Sequence, residues 1–255
     1  MATLLSAVLI TQDEEHNLSD ALRSLAFCDE IVVVDSGSTD RTREIAAAAG
    51  ARVLENAPWP GFVAQRNLAV QAARHDWVLA LDADERVTPA LRGEIQALGA
   101  RGFDCDGYRM PRVAFYLGTW IRGTDWYPDP QVRLFDRRHA RWAGGLVHES
   151  VEVAGRVGRL RAELEHHPYL DLADHLQCID RYTTLWARQA HAAGARSGVV
   201  KALLATNWAL LRNYLLRGGF RLGPVGLLVS VLNTYYTFAK LAKLYELGRG
   251  LAAPP

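Results

Sequence analysis

The sequence predicts an α/β protein: a doubly wound half on a largely parallel sheet, then mixed short strands, then a helical C-terminal region. Three observations predict it. The first hundred residues alternate short apolar runs with helical patterns, the signature of parallel strands joined by crossover helices. Between Cys105 and His167 the segments shorten and fill with aromatics, Gly and Pro. Beyond Pro168 the pattern stays helical to the end.

The apolar runs place strands over 5–10, 30–35, 52–54 and 77–82. Helices follow over 17–25, 39–49, 63–74 and 88–98, with Gly50 a natural C-cap after an alanine-rich run. The first run has no basic segment before it and leads directly into Thr11-Gln12-Asp13-Glu14-Glu15, so it reads as a buried strand rather than a secretory signal. A strand-like run at 160–164 precedes His166 and His167, and helices are expected at roughly 171–193, 197–217 and 222–247. The last contains a charge-free run of 18 residues, 222–239, broken by Pro224, Asn233, Thr234 and Thr237. A membrane span needs about 20 mostly apolar residues, so a basic, amphipathic hairpin lying in the membrane interface fits better than a span. The domains expected are therefore 1–170 and a helical, membrane-interface extension over 171–255.

Composition bounds the classes. The chain has 255 residues, 49% hydrophobic and 22% charged, with Gly 21, Pro 10 and Cys 3, which excludes collagen-like, disulfide-scaffold and wholly disordered chains. Cys28, Cys105 and Cys178 are odd in number and widely spaced, a pattern that suits a reducing compartment. Residues 176–255 carry ten Lys or Arg against Asp180 and Glu246, a net of +8, so the first 175 residues carry −7 of the overall +1. The basic part is thereby suited to an anionic partner.

In doubly wound sheets ligands sit beyond the carboxyl ends of the strands, and here those ends are acidic. Leu79-Ala80-Leu81-Asp82-Ala83-Asp84-Glu85 sets two carboxylates two residues apart at the end of a buried strand. A carboxylate there is costly unless paired or metal-bound, and Mg²⁺ or Mn²⁺ held by one or two carboxylates plus substrate phosphates suits the pattern. The plain alternative is a helix N-cap, by Asp84 or by Thr88 before Pro89. Val34-Asp35-Ser36-Gly37-Ser38-Thr39-Asp40 ends the second strand; Asp35 there is placed to accept bonds from a base or ribose, or Ser38 or Thr39 simply caps the next helix.

These blocks, together with Val63-Ala64-Gln65-Arg66-Asn67-Leu68-Ala69, occur in an order and spacing that resembles the inverting family-2 glycosyltransferases with the GT-A nucleotide-sugar-binding fold. Further blocks carry the resemblance to the subgroup of lipopolysaccharide inner-core β-1,4-glucosyltransferases: Trp126-Tyr127-Pro128-Asp129-Pro130-Gln131-Val132-Arg133-Leu134-Phe135, Trp142-Ala143-Gly144-Gly145-Leu146-Val147-His148-Glu149, His166-His167-Pro168-Tyr169 and Arg181-Tyr182-Thr183-Thr184. The resemblance implies a nucleotide-binding half over 1–100, an acceptor half over 101–170, and nucleotide contacts from Thr11, Asp35, Arg66 and Asp82, the last touching ribose or metal. It implies Asp84 as a ligand of a divalent cation (Mg or Mn), joined by His166, which matches the subgroup position better than His167; the plain reading is a structural histidine, and both could not readily ligate one ion, since neighbours on an extended strand face opposite ways.

Glu149 matches the general base of the resemblance, with Asp129 the rival, and direct displacement at the anomeric carbon needs such a carboxylate to take the acceptor's proton. The plain reading of Glu149 is a strand carboxylate paired with an arginine. His148 either orients Glu149 or binds phosphate, and Trp120, Trp126, Tyr127 and Trp142 either stack on sugar faces or pack the core. The implied reaction moves a hexose, glucose from UDP-glucose, to a heptose of the lipopolysaccharide inner core. The implied partners are a UDP-hexose, a lipid-linked saccharide acceptor and an anionic membrane surface, with no nucleic acid, at the cytoplasmic face of the inner membrane. Alternatives are transfer to a polyprenyl phosphate or another glycan, a nucleotidyltransferase, and a non-catalytic scaffold. The acidic loop after the first strand argues against a nucleotidyltransferase, which grips a triphosphate with a glycine-rich, basic loop.

Overall fold

A computed structural model describes residues 3–144 and 149–250. Its strands are β1 (Leu5–Thr11), β2 (Glu30–Asp35), β3 (Arg52–Glu55), β4 (Trp77–Asp82), β5 (Glu85–Val87), β6 (Gly107–Tyr116), β7 (Thr119–Ile121), β8 (Asp129–Asp136), β9 (Ala140–Gly144), β10 (Glu149–Val153), β11 (Val157–Arg159) and β12 (Leu164–His166). The helices are α1 (Leu18–Ser24), α2 (Thr42–Ala48), α3 (Phe62–Ala72), α4 (Pro89–Arg101), α5 (Leu172–Ala192), α6 (Val199–Leu211) and α7 (Gly223–Gly248). The chain forms two compact units, Met1–Val113 with Asp129–His167, and Ala114–Pro128 with Pro168–Pro255. The segment 114–128, counted with the acceptor half in the sequence, thus packs with the C-terminal helices.

The sheet runs β3-β2-β1-β4-β8-β6-β12-β5. Its first four strands are parallel and β8 then joins β4 antiparallel, so the sheet is mixed as expected. Alternation along each strand builds two layers. Leu5, Ala7 and Leu9 of β1 and Leu79 and Leu81 of β4 face α1 and α4 through Leu18, Leu22, Leu91 and Ile95. Val8, Val78 and Ala80 face the other way, onto Ala69 and Val70 of α3 and onto Phe135 and Trp142. With both faces covered, the apolar runs read as continuous rather than alternating.

Two local expectations change. The helix after β2 starts at Thr42, and its N-cap residue Arg41 makes no side-chain cap, because the Ser38 and Thr39 side chains bond to the strand ends instead. The run at 160–164 is not a strand; β12 begins at Leu164 and takes His166 into the ladder opposite Glu85.

The second unit centres on Tyr116, Ile121, Ile179, Val229 and Leu232. The end of β6 and β7 form a hairpin within it, Ala114 opposite Ile121. A turn of 3₁₀ helix at Gly219–Leu222 leads into α7 at close quarters: a Cβ on Gly226 would lie 1.9 Å from the Gly219 carbonyl oxygen, so glycine is required there. The segment Gly219–Gly248, mean hydropathy 1.2, is long and apolar enough to cross a membrane by length and composition.

Candidate active site

The carboxyl ends of β1 and β2 are laced together before any ligand is considered. Asp35 is fully buried and accepts from Gly37 N at 3.0 Å, Ser38 N at 2.8 Å, Ser38 Oγ at 2.5 Å and Thr11 Oγ1 at 3.0 Å. Gly37 makes this turn with φ 85°, a left-handed conformation that glycine adopts without strain. Asp13 N donates to Ser38 Oγ, and Thr39 N donates to Asp13 Oδ1. The loop after β2 is therefore held rigid by Asp35 and Thr11, which present its Ser36-Gly37-Ser38 backbone at the strand ends.

Asp82 ends β4 between two guanidinium groups. Arg66 Nη1 of α3 lies 2.5 Å from Asp82 Oδ1, and Arg133 Nη2 of β8 lies 2.7 Å from Oδ2. Burial by itself would raise the Asp82 carboxyl, but Arg133 and Arg66 hold it well below the usual carboxylate range. Arg133 also reaches Glu85 Oε1 at 2.7 Å, and Arg112 Nη1 of β6 meets the same oxygen at 2.7 Å. Arg112 in turn grips Asp129 through Nε at 3.0 Å and Nη2 at 2.5 Å. Asp129, the rival base, is thereby committed to Arg112.

Glu149 opens β10, with Oε1 3.7 Å from Arg66 Nη2. Its placement follows from a clasp between α3 and β9. Asn67 Nδ2 donates to Trp142 O at 2.9 Å while Trp142 N donates to Asn67 Oδ1 at 3.0 Å. The indole thereby lies against Arg66, whose guanidinium carbon is 4.4 Å from the ring centroid. Trp142 pairs with Val151 in the β9–β10 ladder, and Glu149 with Gly144, so the clasp delivers Glu149 to Arg66. Arg66 bridges Asp82 and Glu149. His148 lies outside the described residues.

Asp84 follows β4. The cap of α4 is Thr88, whose Oγ1 accepts from Leu91 N at 3.1 Å, so Asp84 is free of that duty. Its Oδ2 lies 3.2 Å from His166 Nε2, while Oδ1 is buried with no hydrogen-bond partner among the described residues. His167 follows β12, and its backbone N donates to Asp84 O at 2.8 Å. Burial, then Arg86 and His166, pull its imidazole down to about 4. Glu14 stands near the same carboxylates. Burial raises its carboxyl, a hydrogen bond from Asn17 opposes this, and Asp84 and Asp82 raise it further.

No group of three or more His, Cys, Asp or Glu side chains converges as a metal cage among the described residues. The donor set still fits a divalent cation of the kind that keeps substrate oxygens in its shell: one imidazole nitrogen and a carboxylate with an unspent buried oxygen. Both Asp82 oxygens are engaged by arginines, whereas Asp84 keeps one oxygen unspent. Arg66 Nε, Arg133 Nε and Trp142 Nε1 are also buried without partners among the described residues, leaving donor capacity beside the carboxylates.

Glu85, Arg133, Arg112 and Asn67 were assigned no role from the sequence. One signal was present: Arg133 sits between Val132 and Leu134 in an apolar run, and a buried cation demands a carboxylate partner. Of the aromatic group, Trp142 is packed under Arg66, Trp120 packs on Phe115 at 4.9 Å, and Trp126 belongs to the second unit.

Residues 6–150 match the family model described as glycosyl transferase family 2, more than half of the chain. The chain belongs to that family, and it is a glycosyltransferase with a GT-A fold. It is 31% identical over 248 residues to the lipopolysaccharide core biosynthesis glycosyltransferase LpsC of Rhizobium meliloti, covering 95% of this chain and 92% of that one. It is 27% identical over 256 residues to an uncharacterized glycosyltransferase of Rickettsia typhi, covering 95% and 87%. Among solved structures, glucosyl-3-phosphoglycerate synthase from Mycobacterium tuberculosis, in complex with Mn²⁺, UDP and glucosyl-3-phosphoglycerate, aligns with TM-score 0.50 and 18% identity, over 77% of this chain and 82% of that one.

Proposed function

We propose that the chain is an inverting hexosyltransferase that moves glucose from UDP-glucose to a heptose of the lipopolysaccharide core, at the cytoplasmic face of the membrane. The acceptor class rests on the similarity to LpsC along nearly the full length of both chains. The observation that carries the donor side is the buried, unspent Oδ1 of Asp84 beside His166, next to an arginine pair with unspent N–H groups. An anionic, metal-binding ligand such as a nucleoside diphosphate satisfies both.

In this reading Asp35 and Thr11 hold the loop that receives the uridine, and Asp82 keeps Arg66 and Arg133 in place for the diphosphate and ribose. Asp84 and His166 hold Mg²⁺ or Mn²⁺, which when bound offsets negative charge on the leaving diphosphate. Glu149 takes the proton from the acceptor hydroxyl as that oxygen attacks the anomeric carbon from the face opposite the leaving group. The product has inverted anomeric configuration.

The helical region supports docking on a lipid surface. Leu203, Leu204, Trp208, Leu215, Leu216 and Phe220 are exposed, and Lys201, Arg212, Arg217 and Arg221 stand in the same stretch. The test of the active site is calorimetric titration with UDP, with and without Mn²⁺, on the native chain and on Asp84→Ala. Binding that needs the metal and weakens at least about tenfold in the variant is expected. Absence of UDP binding under either condition overturns the reading.

A further inference from the structure

We propose that the second unit carries a binding cleft for one neutral pyranose ring of the acceptor saccharide, built from residues that take no part in the reaction site. The proposal rests on the reading that the acceptor is a saccharide, and deepens it.

Trp126, Tyr169, His175, Tyr182, Asn233 and Tyr236 line a cavity of about 220 Å³ in this unit. Against about 30 Å³ for each water of the liquid, that is room for one six-membered ring with its substituents rather than for an oligosaccharide. Four aromatic rings, an imidazole and an amide share its lining with Cys178, Ile179 and Leu232. Tyr169 stacks flat on His175 with ring centroids 3.9 Å apart and planes 13° from parallel, and Trp126 stands 5.5 Å from the same imidazole.

The charge of the lining selects the ligand. No Asp, Glu, Lys or Arg lines the cavity among the described residues. His175 is 3% exposed, and its Nδ1 is paired with Tyr116 Oη at 2.9 Å. Arg181 and Lys240 stand over the Tyr182 and Tyr236 rings, 5.1 Å and 5.4 Å from their centroids, but neither is part of the lining, so a phosphate or carboxylate in the cavity meets no charged lining group.

A hydrocarbon chain fits no better. The hydroxyls of Tyr169, Tyr182 and Tyr236 make no hydrogen bond among the described residues, and an alkyl ligand seated on these rings would offer such groups no partner. A pyranose suits both properties, because its C–H face packs on aromatic rings while its hydroxyl rim pairs with phenols.

The polar atoms behind the wall are already spent, which pre-organises it. Trp126 Nε1 donates to Asn233 Oδ1 at 2.9 Å, and Asn233 Nδ2 donates to Asn213 Oδ1 at 2.7 Å. Asn213 is in turn held by Asp125 N at 2.9 Å and by its own donation to Ala209 O at 2.9 Å. This network fixes the indole before any ligand arrives.

The test uses the full chain, saturation-transfer NMR with methyl β-glucopyranoside and a methyl heptoside as probes, and 1-octanol as the hydrocarbon probe. Tyr182→Phe combined with Tyr236→Phe keeps both rings and removes only hydroxyls. The expected result is glycoside binding to the native chain that weakens about tenfold in the double variant, with UDP affinity unchanged. Equal glycoside binding by both chains, no glycoside binding by the native chain, or preferential filling by octanol overturns the proposal. If UDP binds while the glycoside result fails, only this cleft is refuted; if UDP does not bind, the proposed UDP-glucose donor fails.

Discussion

Glu149 and Glu85 are both carboxylates beside arginines, yet their surroundings assign them different work. Among the described residues Glu149 faces Arg66 at 3.7 Å and stands at a strand end, so its carboxylate is not committed to a close ion pair. Glu149→Gln is expected to lower kcat by about 10²–10⁴ while leaving UDP affinity within about twofold, measured by steady-state kinetics and titration. Full activity in that variant would favour an acceptor that brings its own anionic nucleophile. Glu85, by contrast, is fully buried and pairs with both Arg112 and Arg133. Removing one partner from a buried ion pair strands the others, so Glu85→Ala is expected to cost about 3–5 kcal/mol in urea unfolding. Arg133 inside an apolar run announced that such a carboxylate had to exist, but chain spacing gives no means of choosing Glu85 over Asp82 or Asp129, and the structure uses two of the three for Arg133.

At the scale of elements, α5 is tied to β6 by His175, which pairs with Tyr116 Oη at 2.9 Å. Burial draws this imidazole from 6.5 down to about 4, opposed by the nearby Asp174 carboxylate, with the uncharged rings of Tyr116, Trp126 and Tyr169 packed around it. In the unfolded chain it protonates near its ordinary value. The unfolded state therefore binds more protons between the two values, and stability rises with pH across about 4 to 6.5. Thermal unfolding of the native chain is expected to fall in midpoint as pH drops through that window, and His175→Gln is expected to flatten the dependence. The strands β2 and β4 were legible to the residue because unbroken apolar runs end in charged residues. The start of α2 was less so, because Ser38 and Thr39 are equally good caps and strand-end partners, and only the neighbouring loop after β1 settles which they become.

For the molecule as a whole, the charge division along the chain has a consequence that is measured with lipid. The native chain is expected to co-sediment with vesicles containing anionic phospholipid, less so as salt is raised, and poorly with neutral vesicles. Leu204 and Leu216 are 67% and 64% exposed, so Leu204→Glu with Leu216→Glu removes apolar contact without disturbing a core. Loss of vesicle binding with unchanged UDP affinity is expected. Undiminished binding would place the contact elsewhere on the chain.

The α/β class, the order of the first strands and helices, the acidic strand ends and the blocks that mark the family are all written along the chain. These are local signals: apolar periodicity, turn chemistry and short motifs whose residues are neighbours in the chain. Packing in three dimensions settles which carboxylate each arginine takes, that Asn67 and Trp142, 75 residues apart, clasp α3 to β9, and that Asp84 keeps an oxygen unspent while Thr88 caps the helix. It alone also decided that Trp126 meets Asn233, 107 residues later, in the wall of a cavity. The physical reason is common to all of them. Buried polar groups must be satisfied, but the partners that satisfy them are chosen by strand order and helix packing in three dimensions, which periodicity along one dimension does not specify.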